Sequence, residues 1–318
     1  MIRLLNKLKE SFRSSLPEGY PQSYLANGAR RKGIFGPSSK HYPHAFRPSE
    51  PDFRNEQDRE QWHAARTSVM VHVLALIATS PWRDYLVLCG SVPMRTWVGD
   101  RARVPSDMDW MVLPIEIKSS SRKAKALFDS IVALIAANRT IGRIKIDWRR
   151  MVRDRIWTHE RADGVRLVFP WRVGDLPEGI LQMDFVFGEM LWESPVSTRI
   201  ALSRSSPEVR LMTVTPELSL AWKLMWLESD MYPQGKNLYD ATLLAEYVRL
   251  SPQLLDTVMR NGQESEQYLR YGVDPRRWLV NWDNFRQECP QVLGGRDSWM
   301  QRLTVAIAPT VQALPGPS

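Results

Sequence analysis

Two aspartates separated by a single residue carry the strongest chemical signal in the sequence. They stand in the segment Ser106-Asp107-Met108-Asp109-Trp110, whose continuation predicts a β-strand. Alternation along a strand places the side chains of Asp107 and Asp109 on the same face. Two carboxylates held that close repel each other, and a hard divalent cation with oxygen ligands is the partner that suits them best. Taken alone, Asp-x-Asp is also common at strand starts and in turns, where it only solvates a loop.

A glycine and a serine upstream shift the interpretation toward phosphate chemistry. Gly90 and Ser91 follow the apolar run Tyr85–Cys89, which predicts a buried strand next to the aspartates. Glycine allows the backbone to approach a phosphate closely, and the serine hydroxyl can donate a hydrogen bond to a phosphate oxygen. Together with the Asp pair, these two residues favour a site for metal and phosphate.

A third acid lies in an apolar setting further along the chain. Asp184 is flanked by Met183 and Phe185, and burying an acid in such a strand is costly unless it is paired or bound to a metal. We therefore expect Asp184 to join the pair as a ligand, although it could also lie on the exposed face of a half-buried strand. Asp147 is the rival for this place, but its surroundings are more polar.

The second half of the chain offers a lysine and another aspartate. Thr215 and Pro216 predict the N-terminal end of a helix that carries Lys223 among apolar neighbours. Such a lysine either extends to solvent or contacts an anion, here a triphosphate. Asp240 follows early in the next predicted helix, either as an acid of the site or as a structural partner of Lys223 or Lys236.

The elements that must position these residues indicate an α+β fold, with a mixed sheet and flanking helices followed by a helical C-terminal domain. Helices are predicted at 56–79, 93–98 and 120–137, and strands at 85–89, 109–113, 144–148, 165–169 and 181–187, the last of the strands. Helical patterns dominate after residue 195. The predicted divisions are an irregular, proline-rich N-terminal arm (1–54), a catalytic domain (55–195) and a helical domain (196–318).

Composition restricts the class of protein further. The 318 residues carry a formal net charge of +8, which favours polyanions such as nucleic acid or anionic small substrates. Two cysteines are too few for a disulfide framework, so a reducing compartment is expected. No apolar run is long enough to span a membrane, and the first residues lack an apolar signal core. These features predict a cytoplasmic protein without membrane association.

Four blocks of sequence, in the same order, resemble the AbiEii/AbiGii family of nucleotidyltransferase toxins within the DNA polymerase β-like superfamily. The resemblance covers roughly residues 60–250. The blocks are Leu88-Cys89-Gly90-Ser91 with Trp97, Gly99–Arg103 leading to Asp107-Met108-Asp109, Met183–Glu189, and Ala221–Leu224 followed by Gly235–Asp240.

The resemblance implies a role for each candidate residue. Asp107 and Asp109 would be metal ligands, with Gly90 and Ser91 near the phosphates of the nucleotide. Lys223 would contact an NTP phosphate, and Asp240 would be the acid of the fourth motif. The implied mechanism places two Mg²⁺ ions between the Asp pair and the triphosphate, with Asp184 as a further ligand or base.

The resemblance also implies a biological setting and an acceptor. Family members are typically toxins paired with an antitoxin, and several add nucleotides to the 3′ end of tRNA. The basic segments Ser121–Lys125 and Arg149–Arg153 would then contact RNA phosphates. Two alternatives stay open: transfer to a protein or small molecule, and a catalytically silent nucleotide-binding module. The second is favoured by Asn237, which stands where the family usually has an acid.

Overall fold

The computed structural model describes residues 33–35, 46–48, 50–158, 162–203, 206–230, 233–262 and 265–315. The arm predicted over residues 1–54 lies largely outside these residues, apart from an antiparallel pair formed by its two short strands. The strands are β1 (Gly33–Phe35), β2 (Phe46–Pro48), β3 (Leu86–Cys89), β4 (Asp107–Val112), β5 (Thr140–Ile141), β6 (Ile144–Ile146), β7 (Val152–Thr158), β8 (Ala162–Val173), β9 (Gly179–Val186), β10 (Val196–Ile200) and β11 (Val209–Thr213).

The helices begin where the sequence supplies caps. Asn55 accepts a hydrogen bond from the backbone N–H of Asp58, and Thr215 accepts one from Leu218, each satisfying a donor that the first helical turn leaves open. Such a cap contributes about 1 kcal/mol. The helices are α1 (Glu56–Ala78), α2 (Met94–Val98), α3 (Arg122–Ala137), α4 (Pro216–Ser229), α5 (Gly235–Tyr247), α6 (Pro252–Asn261), α7 (Ser265–Tyr271), α8 (Trp282–Glu288) and α9 (Arg296–Gln312).

Within the described residues, nine strands form one mixed sheet in the order β10-β11-β3-β4-β9-β8-β6-β5, with β7 also paired to β8. The pairs β11–β3 and β4–β9 are parallel, and the others are antiparallel. This mixed sheet with flanking helices confirms the predicted α+β class.

The two faces of the sheet pack against different partners. One face is apolar: Met108 and Trp110 of β4 join Phe185 of β9, whose ring lies edge-on to Phe128 of α3 with centroids 5.2 Å apart. Helices α1 and α3 cover this face. The alternate residues of the same strands point to the opposite face, where Val87 and Met111 join a second core built by helices α4 to α9. The charged candidate residues of β4 and β9 therefore lie on the face shared with the later helices.

The prediction that the strand at 181–187 is the last one is wrong, because β10 and β11 follow it. β11 lies parallel beside β3, so the sheet continues past the predicted domain boundary at residue 195. β10 has mostly half-buried or exposed residues because it is the outer strand, and its sequence (VSTRI) therefore lacks the apolar signal of a buried strand. Strand β4, predicted to begin at residue 109, begins two residues earlier, so both Asp107 and Asp109 lie inside it.

No helix in the described ranges combines the length and the apolar character needed to cross a membrane.

Candidate active site

Strand register brings Asp109 and Asp184 into one line, with Asp107 on the same face of the sheet. Asp107 and Asp109 are alternate residues of β4, and Asp109 pairs directly with Asp184 on the parallel strand β9. Successive paired positions on this face form a single row across five strands: Cys89, Asp109, Asp184, Arg166 and Asp154. Tertiary pairing thus places Asp184 beside the Asp pair, as the sequence predicts. We call Asp107, Asp109, Asp184 and Arg166 the sheet cluster.

Gly90 makes room for the central carboxylate of this cluster. Its φ of +70° lies in the left-handed region, and a Cβ atom built there would stand 1.9 Å from Asp109 Oδ2. Any other residue would therefore displace the Asp109 side chain or strain the turn after β3. The glycine that the sequence assigns to phosphate approach has this additional task of admitting the carboxylate.

Asp109 occupies an unfavourable electrostatic position. Burial, followed by the negative charges of Asp107 and Asp184, raises its pKa to about 8, although Lys236 and Lys223 act in the opposite direction. Its carboxylate has no ion-pair partner within 4.0 Å among the described residues. A buried acid in this state is stabilised by a proton or by a bound cation, so the site is suited to bind one.

Asp184 differs from Asp109 in being firmly paired. Arg166 donates from Nε to Oδ1 and from a terminal nitrogen to Oδ2, both at 2.7 Å, and Gln182 Nε2 donates to Oδ2 at 3.1 Å. Both residues of the ion pair are buried. The bidentate fork fixes the Asp184 carboxylate in place beside Asp109.

A second charged group lies next to the sheet cluster, and we call it the helical cluster. It consists of Asp240 on α5, Lys223 on α4 and Arg103, which precedes β4. Lys223 Nζ donates to Asp240 Oδ2 at 3.1 Å, and Arg103 donates to both carboxylate oxygens at 3.1–3.2 Å. The Asp240 side chain is completely buried, and only 3% of the Lys223 side chain is exposed.

The charges of the helical cluster stabilise one another. Burial opposes ionisation of Asp240, but Arg103 and Lys223 outweigh it and lower the pKa of that carboxyl. Burial lowers the pKa of Lys223, which Asp240 opposes, and Arg103 lowers it further. Asp240 thus has the structural partnership with Lys223 that the sequence left open, and this contact does not test a catalytic role for either residue.

The donor set fits a divalent ion held by two carboxylates. Within the described residues, no three histidine, cysteine or acidic side chains converge in an arrangement that would hold a metal. Mg²⁺, however, is commonly bound through one or two carboxylates together with substrate phosphates and waters. Asp107 and Asp109 supply such a pair, and the raised pKa of Asp109 is the direction that a bound cation would oppose. Asp184 already shares both of its oxygens with Arg166.

Ser91 carries a buried hydroxyl. It is 1% exposed, and its Oγ has no hydrogen-bond partner in the described part of the chain. A buried hydroxyl without a partner is costly, and a ligand oxygen would satisfy it. Asn237, where the resemblance leads us to expect an acid, is likewise buried, with an Nδ2 that lacks a partner in the same part of the chain.

Several predicted residues lie elsewhere. Asp147 follows β6, its side chain is 43% exposed, and its closest ion-pair contact is with Arg150 at 4.0 Å, so it does not join the row. Asp154 of β7 pairs with Arg166, so the preceding residue, Arg153, lies on the opposite face of the strand from the acids. Its guanidinium lies over the Phe128 ring of α3. The basic segments predicted to hold RNA are therefore centred on the α3 side of the sheet.

Sequence reasoning missed two arginines that shape the site. Arg166 alternates with buried residues in β8, and an arginine in such a strand is a detectable signal of a buried ion pair. Arg103 lies in the resemblance block Gly99–Arg103, but no spacing rule links it to Asp240, which is 137 residues away.

The comparisons with known proteins agree with this geometry. Residues 72–302 match the family described as nucleotidyl transferase AbiEii toxin of type IV toxin–antitoxin systems. Among solved structures, the fold is similar to the nucleotidyltransferase toxin MenT4 of Mycobacterium tuberculosis H37Rv, with a TM-score of 0.50 and 15% sequence identity over 80% of this chain and 85% of that chain. No curated protein sequence gives a significant match.

The family match extends over more than two thirds of the chain. Membership implies an NTP substrate and a cognate antitoxin, and enzymes of this kind generally use a divalent metal. The chain therefore belongs to the AbiEii family of nucleotidyltransferase toxins from type IV toxin–antitoxin systems.

Proposed function

We propose that this toxin transfers a nucleoside monophosphate from an NTP to the 3′ end of tRNA in a reaction that depends on Mg²⁺. The observation that carries the proposal is the state of Asp109, a buried carboxyl whose pKa is raised to about 8 by burial and by Asp107 and Asp184. A cation bound beside Asp109 would replace this proton and make the carboxylate a ligand at neutral pH. The positive charges of Lys223 and Lys236 act on the same carboxyl, which suits a site for a metal-bound triphosphate.

Asp107 and Asp109 are the residues that would hold the metal. When bound, Mg²⁺, as one ion or as the two that the family resemblance implies, would neutralise charge on the triphosphate and make the acceptor hydroxyl easier to deprotonate.

The chain's own residues would bind and orient the substrates. Ser91 Oγ donates a hydrogen bond to a phosphate oxygen, which satisfies the unpaired hydroxyl. Gly90 lets the Asp109 carboxylate lie against the turn that carries Ser91. Asp184, held by Arg166, keeps negative charge next to Asp109 and so strengthens the preference of the site for a cation. Asp240 holds Lys223 in place, close enough for its charge to act on Asp109.

The choice of tRNA as acceptor is supported by the family resemblance and by the net charge of +8. The basic segments around α3 lie on the side of the sheet opposite to the acids, so we do not assign them to the reacting end of the RNA. They could hold a more distant part of a large substrate. Transfer to a protein hydroxyl or a small molecule, and a silent nucleotide-binding module, are the alternatives that the experiment must separate.

The purified protein would be incubated with Mg²⁺ and each α-³²P-labelled NTP in the presence of total tRNA. Asp109→Ala serves as the inactive variant and Asp147→Ala, a change at an exposed aspartate outside the row, as its matched control. Label on tRNA with wild type and Asp147→Ala, but not with Asp109→Ala or with EDTA, is the expected result. Label on protein instead of tRNA would contradict the acceptor. No label on tRNA, protein or added small-molecule acceptors would favour the silent module.

A further inference from the structure

Two arginines stand side by side at one edge of the nine-stranded sheet. Arg199 of the outer strand β10 and Arg210 of β11 are directly opposite each other in the antiparallel register. Side chains paired in this way have Cβ atoms about 5 Å apart. Both arginines are exposed, and neither forms an ion pair with a described residue, Glu208 of the preceding loop included. We call Arg199 and Arg210 the arginine pair.

The arginine pair is unfavourable for the fold by itself. Like charges directly opposite on neighbouring strands repel each other and destabilise the sheet. A charge on an edge strand discourages pairing with other chains, and this would account for Arg199. It does not account for Arg210, because β11 is an inner strand. An anion held between the two guanidinium groups would remove the repulsion.

The arginine pair lies on the same face of the sheet as the acids of the site. Arg210 alternates along β11 with Met212, whose side chain packs against the core built by helices α4 to α9. That core covers the face on which Asp109 and Asp184 lie. The basic segments around α3, in contrast, are centred on the opposite face.

Helix α2 connects the arginine pair with the turn at Ser91. The helix begins three residues after Ser91, and Thr96 donates a hydrogen bond from its Oγ1 to the backbone carbonyl of Arg199 at 3.3 Å. Thr213 of β11 pairs with Leu88 of β3. Strand spacing and rise then place the arginine pair roughly 10–15 Å from Leu88. A stacked RNA strand covers that distance in roughly three to four nucleotides.

We propose that the arginine pair binds the phosphate backbone of the acceptor RNA a few nucleotides from its reacting 3′ end. This inference rests on the proposed function, because it locates a contact for the acceptor named there. Each guanidinium would donate charge-assisted hydrogen bonds to phosphate oxygens, which supplies affinity and position without reading the base sequence. The chain would then continue across α2 to the Asp pair.

The opposite side of the sheet supplies a matched control. Lys145 of β6 and Arg172 of β8 are also directly paired in an antiparallel register and also exposed. Arg172, however, donates to Glu178 at 2.7 Å, so this second pair is partly neutralised. Removing either pair lowers the net charge of the protein by two, which separates a local contact from a general effect of charge.

The experiment compares the full-length wild type with Arg199→Gln/Arg210→Gln, Arg199→Lys/Arg210→Lys and Lys145→Gln/Arg172→Gln. The affinity for a fluorescently labelled tRNA would be measured by anisotropy at several salt concentrations. Label transfer would give KM separately for tRNA and for the NTP. Thermal melting verifies folding, and Arg199→Gln/Arg210→Gln should melt at an equal or higher temperature than wild type because a repulsion is removed.

We expect Arg199→Gln/Arg210→Gln to weaken tRNA binding by about 10- to 100-fold and to flatten the salt dependence by about 1.5 to 2 in the log–log slope. KM for tRNA should rise accordingly, while KM for the NTP should change less than about twofold. The lysine variant should keep most of the affinity, because the contact is mainly one of charge.

Two results would overturn the inference and leave the proposed function standing. One is unchanged tRNA affinity in Arg199→Gln/Arg210→Gln, and the other is an equal loss in Lys145→Gln/Arg172→Gln, which would show an effect of net charge alone. If wild type itself neither bound nor labelled tRNA, the proposed acceptor would fail and the inference would fail with it.

Discussion

The sheet cluster and the helical cluster are neighbours with opposite excess charge. In the sheet cluster, the Arg166 guanidinium pairs with Asp184, and the central acid, Asp109, has its pKa raised to about 8. In the helical cluster, two cations share one carboxylate, and the pKa of Asp240 is lowered. By formal charge, acids thus outnumber cations among the residues of the sheet cluster, and cations outnumber acids among those of the helical cluster.

This difference in charge indicates different roles for the two clusters, one in activity and the other in stability. The proposed metal-bound triphosphate would complement this arrangement, because the cation would bind at the carboxylates and the phosphates would lie toward the cationic side chains. The helical cluster is satisfied internally and behaves as a structural unit, whereas the sheet cluster becomes favourable only with a ligand. Substitutions in the first should therefore change stability most, and substitutions in the second should change activity most.

The largest expected effect is on catalysis at the sheet cluster. Asp109→Asn should reduce nucleotide transfer at least about a thousandfold, since loss of a metal ligand removes several kcal/mol of transition-state stabilisation. The same change removes the repulsion with Asp107 and Asp184, so the metal-free protein should melt at an equal or higher temperature. Label transfer and calorimetric melting would be compared with Asp147→Asn. A variant with more than a tenth of wild-type activity would refute the assignment.

At the helical cluster, stability should change first. Asp240→Asn leaves Lys223 and Arg103 buried without their carboxylate and should destabilise the fold by about 3–5 kcal/mol. Urea unfolding would measure this. The matched control is Asp256→Asn, which breaks a more exposed pair with Arg260 on α6 and should cost at most about 1 kcal/mol. Equal losses in the two variants would show that the helical cluster is not a structural unit.

A smaller effect is expected when the Asp184–Arg166 fork is weakened without loss of charge. Arg166→Lys removes one of two parallel hydrogen bonds, so Asp184 should be held less firmly beside Asp109. Transfer should fall about tenfold, with the apparent affinity for Mg²⁺ also reduced. Arg172 also lies on β8 and forms a more exposed ion pair with Glu178, so Arg172→Lys should have no such effect. Identical behaviour of the two variants would contradict a role for the fork.

The smallest effect concerns pH and metal-free stability. The folded-state pKa of Asp109, about 8, exceeds the ordinary value of 3.8, so between these values the folded protein keeps a proton that the unfolded chain has released. The free energy of unfolding should therefore fall as pH rises through this window. Above about pH 8, the titration of Asp109 should cause no further change. The melting temperature should fall by a few degrees more in wild type than in Asp109→Asn between pH 5 and pH 8. Parallel curves for the two proteins would contradict the raised pKa.

Local signals in the sequence were enough for the elements that carry the site. Thr215 and Pro216 mark the start of α4 through hydrogen-bonding capacity and a fixed backbone angle, and these act within one helical turn. The apolar run before Gly90 correctly predicted β3. By contrast, β10 is an edge strand and its residues are largely solvent-exposed, so no apolar pattern marks it, and its place in the sheet depends on pairing with β11.

By itself, the sequence determined that Asp107 and Asp109 share one face of a strand, because alternation is a property of the extended backbone. It also determined the α+β class and carried the family resemblance. Only the tertiary structure decided that Asp184 pairs with Asp109 and with Arg166, and that Asp240 holds Lys223 and Arg103. These partners lie 17 to 137 residues apart, and the register and packing that join them are set by the whole fold.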